Sequence, residues 1–348
     1  MASRNIIVMG ASAGGVEALI QVVTALPADL PAAVFIVLHV PANGKSALPH
    51  ILQRNTSMIV QHAEDGHKVE RGHIYVAPPA KHLLLRQGRM YLTMGSKENG
   101  VRPSVDPLFR TAASEYGPRV IGVILTGTLD DGTAGLLAVK SFHGIAVVQD
   151  PDDADYSGMP QSAIQHVEVD HIVPLSGIGP LLVRLVREPV TDTGVNAVSD
   201  ETEHDVNLEA DIAEINMAAI REEKPGQPSE FGCPDCGGIL WEMQDGKLLR
   251  YRCRTGHAYS PESLMARQAN GIEDALWAAL RALEERASMS GRMAQRAQEN
   301  GQLTIVGVFK EQSQSAHKDA ELIRSVLVRG ESTFSAETVS GAVNPDRQ

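Results

Sequence analysis

Four short runs decide what the first half of this chain can become: Asn5-Ile-Ile-Val-Met9, Ala33-Val-Phe-Ile-Val-Leu38, Val120-Ile-Gly-Val-Ile-Leu125 and Ile145-Ala-Val-Val148. Each is rich in β-branched residues and lacks the polar alternation of a half-solvated strand, the pattern of strands buried on both faces. Such strands need helices on either side, and the segments between these runs are helix-like, separated by Gly-rich turns. The expectation for residues 1–188 is an α/β domain with a doubly wound, mainly parallel sheet. Gly88-Arg-Met-Tyr-Leu-Thr93 reads as a solvated hairpin strand, which leaves room for a mixed sheet.

The chain has 348 residues, 43% of them hydrophobic, enough for a large core and at least one further module. Its net charge of −12 is concentrated in one place: residues 190–231 hold eleven Asp or Glu against Arg221 and Lys224. That stretch, 189–228, is read as an acidic linker and mostly solvated. A docked helix carrying Leu208, Ile212, Ile215 and Ala219 at helical spacing is the alternative. No apolar run reaches the roughly 18 residues of a membrane span and no signal peptide is evident, so membrane insertion is not expected and the cytoplasm is the expected location.

The first strand runs straight into Gly10-Ala-Ser12-Ala-Gly14-Gly15 and then into a helix. A strand-to-helix turn of small residues exposes the Ser12 hydroxyl at the sheet edge, beside free N–H groups that can hold an oxyanion. A dinucleotide loop is the rival reading. It is disfavoured because Ser stands where the second Gly is needed and His39, not an acid, ends the next strand. His39 and the segment Leu125-Thr-Gly-Thr-Leu-Asp-Asp131-Gly132 both follow buried strands, so both belong to the same carboxyl rim as Ser12. A nucleophile, a base and a carboxylate would meet there.

The blocks Ile7-Val-Met-Gly-Ala-Ser-Ala-Gly-Gly15, Leu38-His-Val-Pro41, Gly72-His-Ile-Tyr-Val-Ala-Pro78, Arg102-Pro-Ser-Val-Asp-Pro-Leu-Phe109, Leu125 to Gly132, and Gln149-Asp150 with Gly158-Met-Pro160 stand in an order that resembles the CheB-type chemotaxis protein-glutamate methylesterases. The likeness covers about 180 residues. It implies Ser12 as nucleophile, His39 as general base and then acid, and Asp131 as the orienting carboxylate, because the family's acid directly precedes the glycine. It also implies an oxyanion hole from the backbone N–H groups of Ala13 and Thr128. The common Leu-Thr-Gly-Met-Gly form is broken here at Thr128 and Leu129, which puts the loop's dihedrals in question. Ser104 is expected to cap a helix after Pro103. The resemblance further implies no catalytic cofactor, methyl-accepting chemoreceptors as partners, and glutamine deamidation as a second activity. The family's usual N-terminal receiver domain does not fit ahead of residue 10, so regulation is expected to come from residues 190–330.

Cys233-Pro-Asp-Cys236 and Cys253-Arg-Thr-Gly-His257 form a C-x2-C-x16-C-x3-H pattern. Two close pairs of soft ligands flanking a hairpin read as a zinc-ribbon-like module over 229–260, with a structural zinc on Cys233, Cys236, Cys253 and His257. Metal removal is then expected to unfold that module and spare the esterase. Lys247, Arg250, Arg252 and Arg254 with Tyr251 make a basic strip, which raises a second function class: an inactive adaptor or nucleic-acid-binding protein. Pairing of this face with the acidic stretch is favoured over nucleic acid. Ser260 and Pro261 open a helical hairpin, 261–330, with Leu276, Leu280, Leu283 and Ala287 facing Val306, Phe309, Ala316, Ala320, Ile323 and Leu327 across the Asn300-Gly301 turn. Met265, Met289 and Met293 are either buried in the pair or free to dock a partner helix. Residues 331–348 are read as a disordered tail.

Overall fold

The computed structural model describes residues 3–41, 44, 46–190, 200–213 and 226–330. The chain divides after Leu264 into two compact units.

The first unit is built on a seven-stranded sheet. Its strands are β1 (Ile6–Ala11), β2 (Ala33–Leu38), β3 (Ile59–His62), β4 (His73–Val76), β7 (Val120–Ile124), β8 (Ile145–Gln149) and β9 (His171–Val173), in the order β3-β4-β2-β1-β7-β8-β9. Every pairing in it is parallel. The absence of polar alternation in β1 has a direct cause. Ile6 and Val8 enter the core on one face with Phe35, Leu108, Phe109, Leu136 and Met159, while Ile7 and Met9 enter the other with Ile36, Leu19, Val22, Leu52 and Leu182. The first face is covered by α3 (Val105–Tyr116), α4 (Thr133–Ser141) and α5 (Gly158–His166), and the second by α1 (Gly15–Thr24), α2 (Leu48–Gln53) and α6 (Leu175–Leu185). The sheet is therefore doubly wound, and the chain switches direction between β1 and β7.

The main sheet is parallel, as expected, and the hairpin that left room for a mixed sheet does not join it. β5 (His82–Arg86) and β6 (Arg89–Thr93) pair antiparallel as a separate two-stranded sheet. Leu83, Leu84 and Leu85 are buried, and the Leu85 N–H donates to Thr111 Oγ1 of α3 at 3.1 Å, so the hairpin rests on that helix instead of extending the main sheet.

Part of the stretch read as a solvated linker is a docked helix, α7 (Asp200–Ala213). Of the expected stripe Ile212 is buried and Leu208 only half-buried, and among the described positions Val206, Glu209 and Ala213 are buried with Ile212; Ile215 and Ala219 lie outside the described residues. The face is rotated because Glu209 points inward to Arg110, Arg250 and Arg252, at 2.9, 2.7 and 3.1 Å. Ser114 to Asn207 and Arg86 to Asp211 hold the same helix against α3 and β5.

Next, β10 (Gln227–Gly232), β11 (Ile239–Asp245), β12 (Leu248–Cys253) and β13 (Ala258–Tyr259) form an antiparallel sheet in chain order. Leu240, Tyr251, Tyr259 and Leu264 fill its small core beside Cys233 and Cys253. This ribbon packs within the first unit. Arg250 and Arg252 of the basic strip are buried on Glu209 and Glu98, and Arg110 of α3 joins them, with Nη2 2.6 Å from Glu98. Two of the four basic side chains are thereby turned inward by ion pairing; Lys247 and Arg254 remain exposed.

The second unit contains most of α8 (Pro261–Glu299) and α9 (Leu303–Gly330). Leu280, Ala287 and Ala294 recur every seven residues and are buried, as are Val306, Ala316, Ala320 and Leu327, the spacing of a helix pair packed along a narrow seam. Ser313 Oγ donates to the Ala287 carbonyl at 2.9 Å, and Arg324 pairs with Glu284, which fixes an antiparallel hairpin. Met265, Met289 and Met293 are exposed. No helix among the described residues is long and apolar enough to cross a membrane.

Candidate active site

The switch between β1 and β7 opens a crevice at the carboxyl ends of adjacent parallel strands, where αβ folds assemble their chemistry. Ser12 follows β1 on a turn completed by Gly14 at φ +72°, a conformation that a side chain disfavours. His39 follows β2, β1's neighbour on one side, and Asp131 lies in the loop after β7, its neighbour on the other. The sheet order alone therefore brings together three residues separated by up to 119 positions.

Ser12 Oγ lies 3.1 Å from His39 Nδ1, and His39 Nε2 lies 2.6 Å from Asp131 Oδ2. With Asp131 ionised, Nε2 carries the proton and donates it, which leaves the Nδ1 lone pair facing the serine hydroxyl. It is Asp131, not Asp130, that reaches the imidazole. The His39 side chain is 16% exposed and that of Asp131 only 3%, so the serine end faces the solvent and the acid end does not.

A buried carboxylate needs donors, and Asp131 has several. Oδ2 also accepts from the Val105 N–H at 2.7 Å; Oδ1 accepts from Ser104 Oγ at 2.7 Å and Asn99 Nδ2 at 3.1 Å. Burial by itself raises this group, but the hydrogen bond and charge of His39, the Val105 N–H and the Ser104 hydroxyl outweigh it and hold the carboxyl at about 2. The anion sits at the first turn of α3, where N–H groups lack helical partners. The Ser104 cap is thereby corrected. Ser104 occupies the N-cap position, but its hydroxyl makes no cap hydrogen bond, because it is committed to Asp131.

Asp130 lies beside this cradle, buried, with Oδ1 lacking a hydrogen-bond partner among the described residues. Burial is the main cause that raises it to about 7; Ser260 opposes and Glu262 and Asp131 reinforce the shift. An unfolded Asp titrates near 4. Because the folded value is the higher one, the group's stabilisation is complete below about pH 4 and is lost as pH rises through about 7, at up to ~1.4 kcal/mol per pH unit. Urea melts at pH 5, 6 and 7 should show this slope reduced in Asp130→Asn; an unchanged slope would mean that Asp130 is already ionised in the folded chain.

In the loop after β7, Thr126 Oγ1 donates to the Ala13 carbonyl at 3.1 Å and accepts from the Tyr156 N–H at 2.9 Å, tying the loop to the serine turn. Gly127 admits no side chain: a Cβ there would sit 2.1 Å from Met159 Sδ and 2.9 Å from Ser12 Cβ. Neither the Ala13 nor the Thr128 N–H donates to a protein group among the described residues.

A second group of donors lies in the ribbon. The Sγ atoms of Cys233, Cys236 and Cys253 and a ring nitrogen of His257 all lie within 4.8 Å of one another. His257 Nδ1 is 3.7 Å from Cys233 Sγ and 3.4 Å from Cys253 Sγ, and Cys236 Sγ is 3.7 Å from Cys253 Sγ. A tetrahedron with Zn–S bonds of about 2.3 Å has edges of about 3.8 Å, so the donor set fits a four-coordinate soft divalent metal. Gly237 and Gly256, both at positive φ, close the two turns that bend these ligands together.

A model of the CheB methylesterase family matches residues 7–182. The chain belongs to the CheB methylesterase family. A Leptospira interrogans relative is 39% identical over 180 residues, which span 51% of this chain and 93% of that protein. Protein-glutamate methylesterase/protein-glutamine glutaminase 2 of Methanosarcina mazei is 34% identical over 192 residues, 53% of this chain and 52% of that protein. The crystal structure of the Thermotoga maritima CheB methylesterase catalytic domain superposes with a TM-score of 0.51 at 35% identity, covering 53% of this chain and all of that domain.

Leu129, where the resemblance to the family implies a glycine, holds φ +60°. The loop thus keeps a left-handed residue without the glycine that makes it easy, at a cost of about 1 kcal/mol. Leu129→Gly relieves this while loosening the unfolded chain, so its stability should stay within about 1 kcal/mol of wild type. Leu129→Val, β-branched and strongly disfavoured at positive φ, should lose about 2 kcal/mol and weaken activity. Equal stability of the two variants in thermal melts would show that the loop is not held in this conformation.

Proposed function

We propose that this CheB-type chain is a serine hydrolase that removes methyl esters from glutamate side chains of methyl-accepting chemoreceptors, with deamidation of glutamines as a related activity of the same site. The observation that carries this reading is the continuous hydrogen-bonded chain Ser12–His39–Asp131 at the sheet's switch point. His39 Nδ1 takes the serine proton as Oγ attacks the ester carbonyl; the Ala13 and Thr128 N–H groups receive the oxyanion. Collapse of the tetrahedral species expels methanol, protonated by His39. Water then attacks the acyl-enzyme by the same route, returning the acid and free Ser12. With a glutamine side chain the leaving group is ammonia and the remaining steps are unchanged. No step needs a cofactor.

The Cys233, Cys236, Cys253 and His257 set is proposed to hold one zinc in a structural role, since four protein donors fill a tetrahedral ion and leave no site for substrate. The test of the activity is direct: the full chain is incubated with a receptor methylated in advance, and methanol and the loss of methyl groups are followed together. Release of methanol matched to demethylation is expected. A receptor that stays fully methylated would overturn the substrate assignment.

A further inference from the structure

We propose that Asn99 is a positioning residue through which the ribbon holds the catalytic acid. This inference rests on the reading of Ser12, His39 and Asp131 as the catalytic triad. Asn99 lies outside the ribbon and just ahead of the Arg102–Phe109 block, and its amide is saturated from both sides. Nδ2 donates to Asp131 Oδ1 at 3.1 Å and to Asp106 Oδ2 at 3.0 Å; Oδ1 accepts from the Ser260 N–H at 3.3 Å and from Ser263 Oγ at 3.1 Å. The orientation follows from chemistry: the opposite flip would set a carbonyl against the ionised Asp131 carboxylate and an amide N–H against the Ser260 N–H. The backbone is fixed as well, since the Asn99 N–H donates to the Ala258 carbonyl at 2.7 Å and Glu98 bridges to Ala258 as a parallel partner.

On the ribbon side the contact is built rather than incidental. Ser260 and Ser263 cap α8 reciprocally, with Ser263 N–H donating to Ser260 Oγ and Ser260 N–H to Ser263 Oγ, both at 2.9 Å. All three of Asn99, Ser260 and Ser263 lie in the first unit, with both serines buried. One side chain therefore connects the end of the ribbon to the carboxylate that orients His39. Its N–H donor stabilises the Asp131 anion, and its carbonyl makes that donor's position depend on a folded ribbon. The other titratable groups facing Asp131 are His39, Asp106, Asp130 and the buried His82, which accepts the Ser104 N–H.

Three forms of the full-length chain separate positioning from simple anchoring: wild type, Asn99→Asp and Ser263→Ala. Asn99→Asp keeps an acceptor toward Ser260 and Ser263 but sets an acceptor and a third acid against Asp131 and Asp106, so the melting temperature is read beside the rates to separate lost stability from lost positioning. The readouts are the labelling rate of Ser12 by a fluorophosphonate probe, kcat and KM for methanol release from methylated receptor, and the acid limb of the pH profile, with melting temperature measured alongside. Asn99→Asp is expected to lower labelling and kcat about tenfold or more with little change in KM. Its acid limb should move to higher pH, because a less stabilised carboxylate attracts the imidazole proton more strongly. Ser263→Ala should shift both in the same direction by less. Wild-type labelling and an unmoved acid limb in Asn99→Asp overturn the proposal. Should that variant not fold, the same two observations on Ser263→Ala decide it. A wild type that labels at Ser12 but releases no methanol defeats the substrate reading and leaves this coupling standing; one that does not label defeats both.

Discussion

Ser12→Ala is expected to lower methanol release from methylated receptor by about a thousandfold or more, with His39→Ala equally impaired and the double variant no worse than either. The lack of additivity follows from the geometry: Nδ1 of His39 has a purpose only while Oγ of Ser12 stands 3.1 Å away. The informative comparison is between the two neighbouring acids. Asp131 accepts the imidazole proton at 2.6 Å and is ringed by donors, whereas Asp130 makes no contact with His39 among the described residues. Asp131→Ala leaves the imidazole without an orienting anion and should by itself cost about 10⁴-fold, as removing a triad acid does elsewhere. Asp130→Ala should remain within about tenfold of wild type. The reverse ranking would move the acid by one position and would require the loop after β7 to be rebuilt.

Withdrawal of metal is the second large effect. Structural zinc contributes roughly 10–16 kcal/mol in small modules, so chelation or Cys233→Ser should unfold the ribbon. From the sequence alone the damage stops at residue 260. The ion pairs carry it further. Burial would push Glu98 and Glu209 up, but Arg110 first, and Arg250 and Arg252 of the ribbon beside it, hold both acids below the usual carboxylate range. Losing the ribbon removes two of the three arginines paired with each of Glu98 and Glu209, leaving Arg110 alone with both acids, and breaking such a buried pair costs about 3–5 kcal/mol. Calorimetry of full-length protein should therefore show the main transition falling by about 10 °C or more, together with a drop in Ser12 labelling. Freshly purified protein with no bound zinc by elemental analysis would sink the metal assignment; a main transition unmoved by chelation would sink the coupling.

What was legible in the sequence was whatever is encoded locally or by strand periodicity. β1, β2, β7 and β8 announce themselves because both faces are buried, and strand ends then place Ser12, His39 and Asp131 on one rim. The partners that act through tertiary contact left no such trace. Asn99-Gly100 reads as an ordinary turn, and nothing in Glu98 or Arg110 says that each is buried, since the countercharge comes from residues 209, 250 and 252. Ser104 was legible as a helix start but not in its hydroxyl's choice of Asp131 over a backbone N–H. The face of α7 was legible only in part for a related reason: hydrophobic spacing selects Ile212, which is buried, but centres the face on Leu208, and the buried Glu209 is invisible to it. The hairpin β5–β6 was legible as a hairpin, while its seat on α3 depended on Thr111.

The bridge between Asn99 and Ser260 also says something about how the molecule is assembled in time. The two residues are 161 positions apart, so a ribosome delivers β1, β2, β7 and both ends of the His39–Asp131 bond well before Ser260 exists. Closing a flexible loop of that length opposes docking by roughly 4–5 kcal/mol, a debt that only contacts made simultaneously can cover. The ribbon is thus expected to join late and in a single cooperative step, and a nascent chain paused before residue 250 would display a sheet already wound around an acid cradle that is still incomplete.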